Sequence, residues 1–157
     1  MTELEQLLSI LNQEKGGLRQ LLAALKQEHN ALLAADIDAI EAATGVKNQA
    51  LEEHSKTTNT RRLHVAKNTS DPSDESLRQW VESTGDSSEL TLAFSGLVQL
   101  AQDCHESNRN NGRLIVARQT QARGALNIIR QTDSLPPTYS GQGKAAPSTG
   151  SRFLGKA

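Results

Sequence analysis

The chain has 157 residues, a formal net charge of −1 at pH 7 and only 3% aromatic residues. The net charge gives no support for a nucleic-acid binder. With so few aromatic residues, the core must consist mainly of Leu, Ile, Val and Ala, which suits packed helices rather than a β-sandwich. No apolar run approaches the roughly 18 residues of a membrane span, and the N-terminal residues lack the pattern of a secretory signal. We therefore expect a cytosolic, all-α protein with no stable membrane insertion.

A leucine-rich heptad seam predicts the first helix, over residues 3–33. The residues on this seam alternate in spacing between four and three. They are Leu4, Leu8, Leu11, Lys15, Leu18, Leu22, Leu25, His29 and Leu32. Thr2 and Glu5 form a capping box at its start. We expect the helix to continue through Gly16-Gly17, where a bend is the alternative.

A second helix is predicted over residues 37–67, with Asp36 as its N-cap. The connection is short, so the first two helices should be antiparallel neighbours. The second helix is much more polar than the first, and we expect its far half to be loosely held. A breaker cluster over residues 68–74 ends it, and a short amphipathic helix containing Trp80 follows and ends at Gly85.

A single long helix is predicted over residues 86–132, capped by Asp86 and Glu89. Its seam is apolar at both ends and polar at Asn108 and Asn111. At 1.5 Å per residue it would span about 70 Å, whereas each of the first two helices would span about 45 Å. Some apolar residues would remain uncovered, and such a stripe can accept a partner helix. The predicted partner-binding residues are Leu114, Ile115, Leu126, Ile128 and Ile129.

The composition changes after residue 132, where Pro, Gly, small and basic residues predominate, as is typical of a disordered tail. The sequence therefore predicts a helical domain over residues 1–132 and a flexible tail over residues 133–157. The predicted fold is an elongated antiparallel helical bundle or coiled coil, with about three long helices and a short connecting helix. The tail holds the only tyrosine, Tyr139, and serves either for docking or for solubility.

No catalytic, cofactor-binding or metal-binding constellation is predicted. The four histidines, His29, His54, His64 and His105, fall on different helices or faces and lack the spacing of a zinc site. Cys104 is the only cysteine, and its seam position favours a small buried hydrophobe over a reactive thiol. We therefore expect an interaction protein that is not an enzyme and needs no cofactor.

Three short blocks follow one another along the last helix and the tail. The first is Asn-x-x-Asn-Gly before apolar residues, the second is Ala-Leu-x-apolar-apolar, and the third is Pro-Thr-Tyr followed by glycines. The blocks comprise Asn108, Asn111, Gly112, Leu114 and Ile115, then Ala125, Leu126, Ile128 and Ile129, then Pro137, Thr138, Tyr139, Gly141 and Gly143. Together they resemble the FlgN family, the cytosolic chaperones of flagellar hook-filament junction proteins. Ser140 departs from the glycine that the family usually has there.

The resemblance implies a helical chaperone that holds the C-terminal segments of hook-associated proteins one and three, prevents their premature assembly and delivers them to the flagellar export gate. It assigns gate docking to Tyr139, whereas the alternative is that this tyrosine packs on the bundle. Asn108, Asn111 and Gly112 either set the register or a bend, with Gly112 allowing close helix approach, or contact the client. The alternative function is a coiled-coil scaffold that self-associates.

Overall fold

A computed structural model describes residues 1–85 and 88–134 of the chain. These residues form four α-helices, α1 (Glu3–Ala34), α2 (Ile37–Thr69), α3 (Asp74–Ser83) and α4 (Ser88–Asp133). The predicted all-α class is confirmed, and the long helices end within two residues of their predicted bounds. Asp86, Tyr139 and the predicted tail beyond residue 134 lie outside the described residues.

Local caps define the ends of α1 and the start of α2. The Thr2 hydroxyl accepts a hydrogen bond from the Glu5 amide at 3.2 Å, and the Glu5 carboxylate accepts one from the Thr2 amide at 2.7 Å, which confirms the capping box. The helix continues through Gly16-Gly17, as predicted. Its C-cap residue, Ala35, is in the left-handed conformation (φ 53°), and the Asp36 carboxylate accepts a hydrogen bond from the Ala39 amide at 3.1 Å to cap α2.

The buried seam of α1 differs from the predicted seam at every second position. Leu11, Leu18, Leu25 and Leu32 are buried as predicted. The intervening buried residues, however, are Leu7, Glu14, Leu21 and Glu28, one residue before the predicted Leu8, Lys15, Leu22 and His29. At two of these positions, Leu7 or Leu8 and Leu21 or Leu22, both candidate residues are leucines. The leucine pattern alone therefore does not show which residue of each pair lies on the buried seam. The structure therefore places two carboxylates, rather than a lysine and a histidine, in the core.

Helix α2 runs antiparallel to α1, as predicted. Glu14 of α1 bonds to Arg61, and Glu28 further along α1 bonds to Lys47 nearer the start of α2. The predicted loose far half of α2 is wrong, because Arg61 is buried there and Val65 is completely buried. The polar residues of this half include an internal ion-pair partner, so they do not all belong to a solvated face.

Helix α4 runs parallel to α1 within the first of the two compact units, Met1–Ala117 and Arg118–Ala157, into which the chain divides. The Cys104 thiol donates to the Leu18 carbonyl at 3.4 Å, and the Asn111 amide donates to the Leu25 carbonyl at 2.9 Å. Both helices advance by seven residues between these contacts. One heptad of α1 therefore faces one heptad of α4.

Helix α3 closes onto the core of the same unit through Leu77 and Val81, which are both buried. Trp80 packs against this core, and its ring lies 5.7 Å from that of His64. The connection turns at Gly85, whose φ of 70° favours glycine. Over the described residues, no helix is both long enough and apolar enough to cross a membrane.

Candidate functional site

The five predicted partner-binding residues lie on α4 and differ in exposure. Leu114 and Ile115, in the Met1–Ala117 unit, are half-buried. Leu126, Ile128 and Ile129, in the second unit, are 54%, 65% and 57% exposed. Every residue from 119 to 134 is exposed. More than half of the surface of each of these three side chains is therefore exposed.

Four of the five exposed apolar residues in the described part of the second unit share one side of the helix. At about 100° per residue, Ala122, Ala125, Leu126 and Ile129 fall within an arc of about 100°, and Ile128 flanks it. We call these five residues the α4 stripe. A helix in a globular protein normally packs such a stripe against a neighbour, and large exposed apolar patches mark interaction sites. The stripe is therefore an exposed apolar face of α4.

Asn111 precedes the predicted partner-binding residues and is only 1% exposed. Its amide nitrogen donates to the Leu25 carbonyl and to the Glu28 carboxylate, both at 2.9 Å. Both amide hydrogens are thus used, and the Asn111 carbonyl oxygen accepts a bond from Nδ1 of His29 at 3.0 Å. The side chain is fully paired inside the bundle, which favours the register interpretation of this residue over client contact.

Two buried polar layers cross the bundle, and they start from the carboxylates of the α1 seam. In the first, Glu14 accepts from Arg61 Nε at 2.6 Å and from the Thr58 hydroxyl at 2.8 Å, and Arg61 also bonds to Asp74 at 2.7 Å. Burial lowers the pKa of the Arg61 guanidinium, but the hydrogen bonds and charges of Glu14 and Asp74 outweigh it, and the net shift is upward. The buried arginine therefore stays charged.

The second layer links Glu28 to Asn111 and to Lys47, whose ammonium group lies 2.6 Å from the carboxylate. Sequence reasoning missed both layers. A signal was present, because Glu14 and Glu28 are separated by two full heptads and occur in phase with Leu7 and Leu21. This spacing makes both glutamates candidates for the seam, but it does not show which residues of α2 pair with them.

Asn108 and Gly112 lie on exposed parts of α4. A Cβ atom added at Gly112 would meet no atom within 4 Å, and α4 is helical on both sides of it. No described element therefore approaches Gly112 closely enough to require a glycine. The assignment of Asn108, Asn111 and Gly112 to register or bending stays a prediction.

Gly112→Ala is expected to raise the free energy of unfolding by about 0.5–1 kcal/mol, because alanine has the higher helix propensity and the added methyl group enters open space. Urea unfolding followed by circular dichroism measures this. Gly16→Ala is the matched control, since it also lies inside a helix with no atom within 4 Å of the added Cβ. A destabilising Gly112→Ala beside a stabilising Gly16→Ala would show that Gly112 supports a bend.

Cys104 is 5% exposed and bonds to the Leu18 carbonyl, so it is a buried thiol as predicted. Burial raises the pKa of this thiol, and the charge of Asp103 adds to the effect, which disfavours the reactive thiolate. The histidines have separate roles, since His29 bonds to Asn111 and His54 lies near Thr58. Within residues 1–85 and 88–134, no group of three or more His, Cys, Asp and Glu side chains could hold a metal ion.

The near-zero net charge conceals two oppositely charged parts of the chain. Residues 1–106 contain 9 Lys and Arg against 17 Asp and Glu, a formal charge of −8, and residues 107–157 contain 8 against 1, a formal charge of +7. Residues 107–132 hold five basic residues and no acidic one. These are Arg109, Arg113, Arg118, Arg123 and Arg130. The net charge of the whole chain does not show this basic segment, because the acidic residues before it cancel its charge.

A comparison with protein-family models matches residues 1–147 to the family described as FlgN protein. The matched range includes the α4 stripe and all three sequence blocks, Tyr139 among them. Searches of curated proteins and of solved structures found no match. Because the family match spans nearly the whole sequence, the chain belongs to the FlgN family, a family of flagellar export chaperones.

Proposed function

We propose that the protein is a cytosolic chaperone of flagellar type III export that holds the C-terminal helical segments of hook-associated proteins one and three. It prevents their premature assembly and delivers them to the export gate. Family membership supports the chaperone role. The observation that supports a client site is the exposure of Leu126 and Ile129 on one side of α4, with Ile128 exposed beside them.

The apolar side chains of the α4 stripe support the recognition of a helical segment. Full burial of a Leu or Ile side chain contributes about 1.5–3 kcal/mol, and these three residues keep more than half of their surface available. Ordering of a flexible client opposes this gain, so only part of it becomes affinity. A partner helix with its own apolar seam would cover the stripe.

The triple variant Leu126→Ser, Ile128→Ser, Ile129→Ser is expected to weaken binding of a hook-associated protein tail by about 100-fold, which corresponds to about 2.7 kcal/mol. The bundle should remain folded, because all three side chains are exposed. Fluorescence anisotropy with labelled C-terminal peptides of hook-associated proteins one and three measures the affinity.

The matched control is Leu63→Ser, Leu92→Ser, which removes two leucines that are 64% and 69% exposed on α2 and near the start of α4. This control should bind the peptides like the unmodified protein. Equal affinities of the triple variant and the control would contradict the site. Circular dichroism of both variants verifies that they are folded.

The exposed apolar side chains also favour the alternative, a self-associating coiled-coil scaffold. Sedimentation velocity separates the two functions, because a chaperone whose copies associate only through the stripe should dissociate when a client peptide is added. A stable oligomer that ignores the peptide would support the scaffold. Docking at the export gate through Tyr139 belongs to the chaperone proposal and is supported by the third sequence block.

A further inference from the structure

We propose that the α4 stripe selects an acidic amphipathic helix, meaning a partner segment that carries Asp or Glu beside its own apolar seam. This inference rests on the proposed function and names the chemistry of the segment that the chaperone accepts. It is carried by two arginines that border the stripe, Arg123 and Arg130.

Arg123 and Arg130 lie on the same edge of α4 as Leu126, three residues before it and four residues after it. Residues at these spacings are neighbours on a helix surface. Both arginines are exposed. In the described part of the chain, no carboxylate forms an ion pair with either of them. Their guanidinium groups are therefore available to a partner that covers Leu126.

The charge of α4 near these arginines is mainly of the same sign. Residues 107–132 contain no Asp or Glu, and Asp133, three residues after Arg130, is the one carboxylate within residues 107–134. The guanidinium group of arginine matches a carboxylate with two parallel hydrogen bonds. A partner helix with basic residues at the same edge would instead be repelled, so the arginines discriminate as well as attract.

The apolar residues beside the arginines favour a peptide helix over a nucleic acid. Leu126 and Ile129 lie within the stripe and are more than half exposed, and they need an apolar partner surface. A phosphate backbone offers charge without such a surface. An amphipathic helix with acidic flanks can contact the apolar stripe and pair with the two arginines at the same time.

Three synthetic helical peptides of about 20 residues test the inference on the full-length protein. They share one Leu and Ile seam and carry Glu, Gln or Lys at the flanking positions. Fluorescence anisotropy should show the Glu peptide binding about tenfold more tightly than the Gln peptide, and the Lys peptide more weakly than either. The advantage of Glu should shrink between about 50 mM and about 200 mM NaCl, because salt screens exposed charges.

The double variant Arg123→Gln, Arg130→Gln should weaken binding of the Glu peptide about fivefold to tenfold and leave binding of the Gln peptide unchanged. Arg123→Lys, Arg130→Lys should retain most of the preference for Glu. The matched control Arg19→Gln, Arg62→Gln removes two exposed arginines of α1 and α2 and should leave all three affinities unchanged.

Equal affinity for the Glu and Gln peptides would overturn the inference. It would also be overturned if a Glu peptide with a scrambled seam, or a single-stranded RNA, bound as tightly as the amphipathic Glu peptide, since the surface would then accept any polyanion. Hook-associated protein tails that bind without dependence on Arg123, Arg130 or salt would refute only the inference. Arginine-dependent binding of the Glu peptide without binding of those tails would support the inference and refute the proposed function.

Discussion

Arg61→Met is expected to lower the free energy of unfolding by about 3–5 kcal/mol, because it removes one partner of a buried ion pair. Glu14 is 2% exposed and lies 2.6 Å from Arg61 Nε. Without the guanidinium, this carboxylate would keep only the hydroxyl of Thr58 as a partner. The core would then contain an uncompensated charge, which costs more than the lost hydrogen bond alone.

Two further variants distinguish the effect of the unpaired buried charge on stability from the effect of losing the other contacts of Arg61. Glu14→Met, Arg61→Met removes both charges and should recover most of the lost stability, because apolar replacement of a buried pair is often neutral or stabilising. Asp74→Asn should change stability by about 1 kcal/mol or less, since the Asp74 side chain is 80% exposed. Urea unfolding measures all three, and a double variant less stable than Arg61→Met would contradict the account.

Asn111→Ala is expected to lower the free energy of unfolding by about 2–3 kcal/mol, because it leaves buried polar groups without partners. The Glu28 carboxylate and the Leu25 carbonyl would lose donors, and Nδ1 of His29 would lose its acceptor. Thermal and urea unfolding, followed by circular dichroism, measure the loss.

Asn108→Ala provides the matched control for this prediction. It is the same substitution three residues earlier on the same helix, but Asn108 is exposed. Its effect should lie within about 0.5 kcal/mol, as for most surface changes. Similar effects at the two asparagines would show that the buried layer does not depend on Asn111.

The helix ends could be predicted because their signals are local. Thr2 with Glu5, Asp36, and Gly85 each fix one end through a few neighbouring residues. The phase of the α1 seam depends instead on which side chains find partners in α2. Glu14 has its partner Arg61 47 residues away in the sequence, so spacing along α1 could not show that this glutamate is buried.

The apolar residues of the candidate site could be predicted from the sequence, but the arginines beside them were not. An excess of apolar residues on one helix suggested an uncovered surface, and Leu126, Ile128 and Ile129 are exposed in the structure. That these residues bind a client stays a prediction. The arginines beside them were overlooked, because the acidic residues of the first 106 positions cancel the charge of the later segment. A charge sum over the whole chain therefore does not show the basic segment, whereas a sum over each segment does.

The two carboxylates on α1 also limit how the first hairpin can fold. If α2 slid along α1 by one heptad in either direction, Arg61 would face Leu7 or Leu21 instead of Glu14. Both misaligned hairpins would bury a guanidinium against leucine and leave a glutamate without its cation, at a cost of several kcal/mol. Residues 1–69 therefore specify the alignment of the hairpin, and the cost of a wrong alignment becomes large when α3 and α4 enclose Glu14 and Arg61.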